Sequence, residues 1–508
     1  MDRAAARERF ESARSAARRV VDRFPALLAR LGLVDRRMGE EAFDLAVPVM
    51  VTGALRVLIR ISDFLFVGIA TGAAGIAALE LGFQYFFIAF GLALALTSGT
   101  ISVVSRLLGA DDRFRADLAI KQSLWLGLLL SVPLAVVGWL YAEPLVGLLT
   151  DDAATIRKGA DYLRIVLAAS PARFWSMIAA RALAGAGDTR TPMYVRLVTL
   201  PVNVVLNALL VFGPGPFPSL GVAGAALGTA VAYLLSAGAF LGLLLTARFP
   251  VRLRLGGPQV DLPLMAEIAR VGLPLAGTRL SRTLGRFPFL FVLGVLGTSE
   301  LAAYAVGRRV ILFAMMPAWG YSTAASTLVG QSVGGGEDEA ATAYGWQTTR
   351  IALATQLLVA AVLAVFAPYV ARGFGTEDVA LTATFIRVFA LGVAGFSVSR
   401  TMRGALRGAG DTRWPFYGTV LGTYLVRLPV AFLALPVGYA VTVGPLSIGG
   451  LSLGPLSVSP GMGYGVAAAF AAILAGLYVK AIVNTVRFAS GRWVAVARSG
   501  RGATPGDD

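Results

Sequence analysis

The chain of 508 residues is 56% hydrophobic and 15% charged, with a mean hydropathy of +0.72. Soluble domains carry about 45–50% apolar and about 25% charged residues, so the excess exceeds what one buried core needs. With no cysteine and no histidine, disulfides, thiolate nucleophiles, cysteine zinc sites, imidazole ligands, Ser-His-Asp triads and histidine proton relays are excluded. Ion and proton chemistry here falls to carboxylates, amides, hydroxyls and backbone. The net charge of +16 would point to nucleic acid in a soluble chain, but here its location matters more than its sum.

Residues 1–42 carry ten arginines and seven acids. Phe10, Ala17, Val21, Phe24, Leu28 and Leu31 recur at helical intervals, which predicts an amphipathic helix on cytoplasmic headgroups. The segment has no short apolar core of the kind a signal peptide needs. Apolar runs of bilayer length then predict twelve spans, near 43–69, 75–101, 121–142, 161–181, 190–212, 221–246, 266–296, 300–327, 347–369, 380–402, 414–437 and 463–488. The expected organisation is a six-helix lobe over 43–246, a linker over 247–265, a second six-helix lobe over 266–488 and a tail over 489–508. Arginines collect on one side, including Arg106/Arg113/Arg115, Arg181/Arg190 and Arg400/Arg403/Arg407/Arg413. The positive-inside rule therefore predicts a multi-pass plasma-membrane protein with both termini in the cytoplasm. The acidic Glu337-Asp338-Glu339 is the one inner loop that disagrees.

The chain repeats itself. Val47-Pro48, Arg56, Arg60 and Gly68 meet Leu273-Pro274, Arg282, Arg286 and Gly294 at one constant offset, and Gly109 meets Gly334. The hexapeptide Gly-Ala-Gly-Asp-Thr-Arg occurs at 185–190 and again at 408–413, followed by Pro192 and Pro415. Six spans per half is an even number, so the halves share one orientation in the membrane. A parallel repeat of this kind encloses a central cavity. The expected fold is therefore all-α, with twelve transmembrane helices in two pseudo-symmetric bundles around that cavity. The hexapeptide lacks the Gly-Lys-Ser/Thr of a phosphate loop. Its glycines end one helix, and Asp188 or Asp411 is placed to cap the next. Without ATP hydrolysis, transport has to draw on an ion gradient.

These motifs, together with Ser62-Asp63-Phe64-Leu65-Phe66-Val67-Gly68, Asn203-Val-Val-Leu-Asn207, Leu210-Val-Phe-Gly213 and Leu220-Gly-Val-Ala-Gly-Ala225, resemble the multidrug and toxic compound extrusion (MATE) transporters over nearly all of 43–488. The resemblance implies two six-helix lobes working as a sodium- or proton-coupled antiporter. It also implies that Asp63 is the cation-binding aspartate and that Thr229 is a further ligand. Prokaryotic relatives often have aspartate where Asn207 stands, so this chain has one carboxylate instead of two and the ion stays open.

Ionisable residues within spans are costly and need a partner or a purpose. Beyond Asp44 at its very start, Asp63 is the sole acid of its span. It either pairs with Arg60 one turn away or binds a cation. It has no acidic counterpart in the second half, where Phe289 stands. Asn203 and Asn207 share a helical face and either hold Na⁺ through their oxygens, making Asp63, Asn203 and Asn207 a metal site, or bond between helices. Glu80 and Gln84 either line the cavity or reach headgroups. Arg56 and Arg60, and Arg279, Arg282 and Arg286, stack at helical spacing, with Arg196, Arg308, Arg309 and Arg427 elsewhere. Arginines facing a cavity would suit carboxylates or phosphates; otherwise they are salt-bridged or snorkelled.

The expected function is a secondary active transporter, not an enzyme, exporting amphipathic organic compounds or drugs as Na⁺ or H⁺ returns. The alternative is a flippase or exporter for anionic or lipid-linked substrates, since a related flippase family holds lipid diphosphates with cavity arginines. The expected partners are the bilayer, a small-molecule substrate and the coupling cation. No nucleic acid, no cofactor beyond the ion and a monomer are expected.

Overall fold

The computed structural model describes residues 24–246, 248–443, 446–448, 451–453 and 456–499, so most of the expected N-terminal arm lies outside the described residues. Residues 24–30 are helical and place Phe24 and Leu28 in a small core with Phe43, Ala46 and Tyr321. The first span starts earlier than the apolar run predicts. Asp35 accepts a hydrogen bond from Met38 N–H at 2.9 Å, and this side-chain cap starts the helix at Arg36. Arg36–Glu40 and Arg37–Glu41 ion pairs, both 3.0 Å, support its polar first turns.

The helix Arg36–Gly109 is broken at Gly72 (φ 67°, ψ −160°), which divides it into the first and second spans. The third span is Arg113–Gly147, the fourth Ala153–Ala168 plus Ser170–Gly185, the fifth Arg190–Phe212 and the sixth Gly221–Leu245. The seventh is Leu262–Leu284 plus Arg286–Leu296, and the eighth Thr298–Ala314 plus Met316–Gly334, bent by 44°. Asp338–Gly373 is the ninth span and Val379–Gly408 the tenth. The eleventh runs through Arg413–Val420, a π-helical turn Leu421–Arg427 and Leu428–Phe432, and Gly465–Ala489 is the twelfth. The all-α architecture of twelve spans is therefore the expected one. Several helices extend beyond the predicted edges at the end that carries both hexapeptide loops, because polar residues there continue a helix once it has left the apolar layer.

The repeat is visible in the bonds. Thr52 Oγ donates to Pro48 O at 2.8 Å, and Thr278 Oγ donates to Pro274 O at 2.9 Å. Proline cannot donate its own i→i−4 bond, and in each half the threonine four residues on takes up the proline's carbonyl. The first span stays helical through Pro48, whereas the seventh is interrupted at Gly285. The hexapeptide loops turn at Gly187 (φ 88°) and Gly410 (φ 84°), where a side chain would be strained. Asp188 then accepts from Thr191 N–H at 2.9 Å. Its counterpart Asp411 is engaged by Arg487 at 2.7 Å.

Acids outside the membrane layer are similarly accounted for. Asp338 and Glu339 occupy the first turn of the ninth span, where the helix dipole favours them, and Asp338 pairs with Arg498 at 2.7 Å. This local role explains the acidic loop that departs from the charge rule. The inter-lobe linker is tied to the start of the third span. Asp117 takes Arg254 at 2.7 Å and Arg252 N–H at 2.8 Å, while Lys121 donates to Gly256 O at 2.7 Å. The uncharged 438–465 loop holds four short strands: β1 (Val441–Val443) pairs with β4 (Leu456–Val458), and β2 (Leu446–Ile448) with β3 (Leu451–Leu453), both antiparallel.

The lobes are closed against each other at the hexapeptide end. A Cβ on Gly109 would lie 1.9 Å from Gln331 O, and one on Gly334 would lie 1.9 Å from Arg106 O. The repeat-related second and eighth spans therefore touch backbone to backbone. Side chains cross the same seam: Ser102 Oγ to Arg407 O at 2.6 Å, Thr327 Oγ to Ala184 O at 2.7 Å and Arg181 Nη1 to Thr323 Oγ at 2.9 Å. Gly109→Val and Gly334→Val should each cost about 1–3 kcal/mol of stability. Gly53→Val, in a position with no atom within 4 Å of a new Cβ, should leave it unchanged. Thermal unfolding in detergent measures this, and equal melting points for all three variants would contradict the seam.

Candidate cation and substrate site

Three spans of the first lobe bring four of the predicted residues into one hydrogen-bonded group. Asn207 is fully buried on the fifth span, and its Nδ2 donates to Asp63 Oδ1 of the first span at 2.6 Å. Asn203, one turn earlier, points its Nδ2 at Asn207 Oδ1 and at Thr229 Oγ on the sixth span, both at 3.4 Å. The first contact is short and charge-assisted, whereas the other two lie beyond the usual 2.7–3.2 Å of a firm N–H···O bond. The tight bond fixes the Asn207 amide, whereas the two loose contacts let the Asn203 and Thr229 oxygens turn toward a cation beside Asp63. Carboxylate, carboxamide and hydroxyl oxygens are the ligand types that hard cations select.

The close approach that makes this possible rests on Gly228. A Cβ there would sit 2.0 Å from Asn207 Oδ1 and 2.9 Å from its backbone N. Any larger residue would push the sixth span off the fifth and turn the amide away from Asp63. Counting back from Gly72, Asp63 lies roughly 14 Å along the helix at about 1.5 Å per residue, well inside the apolar layer.

Asp63, Asn203 and Thr229 line a cleft of about 110 Å³. Arg56 and Arg60 line it too, as do Arg173 and Arg196, both under 10% exposed. Phe83, Phe86, Phe90, Tyr162 and Tyr233 supply aromatic walls. The guanidiniums rest on aromatic faces: Arg60 lies 4.4 Å from the Phe83 centroid, and Arg173 lies 4.8 Å from Tyr233 and 5.5 Å from Phe90. Such contacts gain strength when water is excluded. Glu80 lies within electrostatic reach of Arg60 and Tyr162. The side chain of Gln84 lies outside the described residues. A larger cleft of about 400 Å³ beside Val310, Phe313 and Phe374 has only apolar walls and offers no comparable chemistry.

Arg279, Arg282 and Arg286 stand apart from this cleft, on the seventh span. Arg282 feels Arg308 and Arg427, and Arg279 feels Arg282 and Arg181. The seventh-span arginines share their surroundings with a group assigned from sequence to an inner connection. Arg400, Arg403 and Arg407 lie within the helix Val379–Gly408 and face the protein. Arg173, which lines the cleft, and Lys480, beside the second-lobe arginines, are further cations inside spans that no sequence motif marks. Arg173 is one cation between apolar runs, and the sole signal for it is that an unpaired charge inside a span is costly.

Twelve spans in two repeated lobes, closed at one end and lined inside with polar groups, define a polytopic membrane transporter rather than an enzyme. A family model described as MatE matches residues 48–209 and 274–433, one match in each lobe, and the chain belongs to the MatE family. It is similar to a probable multidrug resistance protein NorM of Thermotoga maritima, at 29% identity over 78% of this chain and 85% of that protein. It is also similar to a protein of Shewanella oneidensis named FAD transporter, at 25% identity over 68% and 77%. Among solved structures, one described as an outward-facing multidrug resistance MATE family transporter has a TM-score of 0.77 at 22% identity, over 91% of this chain and 96% of that one. A Pyrococcus furiosus MOP superfamily transporter, described as having a binding pocket of reverse polarity, gives 0.77 at 22% identity over 90% and 96%.

Gly228→Ala should lower stability by about 1–3 kcal/mol, and the loss should shrink in an Asn207→Ala background, where the amide it strikes is gone. A double-mutant cycle on thermal unfolding reads this coupling; full additivity would separate Gly228 from the Asp63–Asn207 pair.

Proposed function

We propose that the protein is a cation-coupled antiporter that exports amphipathic organic compounds, with Na⁺ or H⁺ returning through Asp63. The observation that carries this reading is the Asp63 carboxylate held by Asn207 inside the membrane layer at 2.6 Å, with further oxygens beside it. A carboxylate is the one group of this cluster that can exchange a proton or a cation at modest cost. The aromatic walls beside it suit the apolar part of a substrate. The multidrug resistance names of several relatives support drug-like compounds as cargo.

The arginine-rich loops support a cytoplasmic hexapeptide end and cytoplasmic termini under the positive-inside rule. On that orientation the seam between the second and eighth spans closes the inner side of this conformer. Cation and substrate then compete through the lobe's shape. Binding of either one weakens the other by the same factor, as linkage requires.

Asp63→Asn keeps the size of the side chain and removes its charge. In proteoliposomes with separate Na⁺ and H⁺ gradients, the variant should insert normally, keep its melting temperature within a few degrees and show no gradient-driven export. Wild-type export should follow one of the two gradients. Full export by the variant would overturn the coupling role of Asp63.

A further inference from the structure

We propose that the arginines of the seventh and tenth spans form a binding site for the diphosphate group of an amphipathic organic anion. The inference rests on the transporter reading above and names a substrate class for it. Arg279 and Arg282 stand one turn apart on the seventh span, and Arg400 and Arg403 stand one turn apart on the tenth. All four lie close enough to repel one another. Lys480 of the twelfth span feels Arg282, Arg403 and also Arg427, which ends the π-helical turn of the eleventh.

Among the described residues no carboxylate forms an ion pair with any of them. Every acid between Leu262 and Ala489 lies at or near a helix end or in a loop: Glu267, Glu300, Glu337 to Glu339, Glu377, Asp378 and Asp411. Glu267 and Asp411 are taken by Arg106 and Arg487. The Nε–H groups of Arg400, Arg403 and Arg427 are buried without an acceptor among the described residues. Arg400 and Arg427 are steadied by Trp319 (5.7 Å) and Phe289 (4.0 Å), which position a guanidinium without neutralising it. Arg282, amid this cluster, remains exposed, so the charges border accessible space rather than a sealed core.

A bilayer layer that holds this many unopposed cations calls for a counter-anion. A single carboxylate would leave most of the charge unmatched. Guanidinium forks bind phosphate oxygens bidentately, and rows one turn apart, about 5–6 Å, can address two phosphoryl groups at once. The same diphosphate chemistry could come from a soluble nucleotide or from a lipid-like ester, so both belong in the test.

The experiment is binding to the purified full-length protein by calorimetry, with ADP and farnesyl diphosphate as probes and adenosine and farnesol as controls. Wild type, Arg282→Gln, Arg403→Gln and Arg282→Lys are compared, with ethidium export in proteoliposomes measured in parallel. At least one diphosphate should bind, its control should not, and affinity should fall at least tenfold in both glutamine variants. Arg282→Lys should lose affinity because the fork is lost while the charge stays. The glutamine variants should melt no lower than wild type, since each removes an unmatched charge, and the diphosphate should raise the melting temperature of wild type alone. Binding of ADP alone assigns a soluble source and binding of farnesyl diphosphate alone a lipid-like one; either supports the site. Ethidium export without diphosphate binding, or diphosphate binding indifferent to both substitutions, would overturn this proposal and leave the transporter reading standing. Diphosphate binding without gradient-driven movement of any probe would overturn the coupled-export reading instead.

Discussion

An ionised group within a bilayer has no bulk water to stabilise it, and this constraint organises the molecule. Each charge inside the membrane layer must find a partner, an aromatic face or open space between the lobes. Asp63 finds Asn207 at 2.6 Å. Arg60 and Arg173 find aromatic rings. The remaining cations gather toward the interior, so the space between spans becomes the place where polar chemistry is concentrated.

The two lobes divide that chemistry unevenly although their backbones repeat. The Pro48–Thr52 bond recurs as Pro274–Thr278, and Gly109 meets the eighth span as Gly334 meets the second. Yet the first lobe carries the carboxylate and its amides, while the second carries the larger group of unopposed guanidiniums. On the proposed mechanism, a shared scaffold lets both lobes move together while one lobe handles the cation and the other the cargo. The helix break follows the same division: the first span runs unbroken from Arg36 to Gly72, and the seventh is interrupted at Gly285.

The repeat, the span count and the Asp63–Asn203–Asn207–Thr229 grouping were legible in the sequence. They depend on local spacing, on one duplicated hexapeptide and on family motifs. A four-residue interval puts two asparagines on one face whatever surrounds the helix. The interior position of Arg400, Arg403 and Arg407 was not legible, because arginines near a span end read as loop charge under the positive-inside rule. Their helix in fact runs on to Gly408. Which face of a span looks inward was also hidden. A membrane helix is apolar toward lipid and toward protein alike, so the usual amphipathic contrast is weak. The start at Arg36 was missed because the Asp35 cap lies in a charged stretch that reads as surface. The short strands of the 438–465 loop were missed because they lie in a span-to-span connection rich in glycine and proline.

Coupled export requires Asp63 to exchange its bound cation when substrate arrives. Purified protein in weakly buffered detergent, followed by a pH-sensitive dye and a sodium-selective electrode during titration with an exported compound, measures that exchange. The wild type should release up to about one cation per molecule, because the cluster has one carboxylate and linkage makes substrate binding weaken cation binding, and Asp63→Asn should release none. Equal release from both proteins would contradict it.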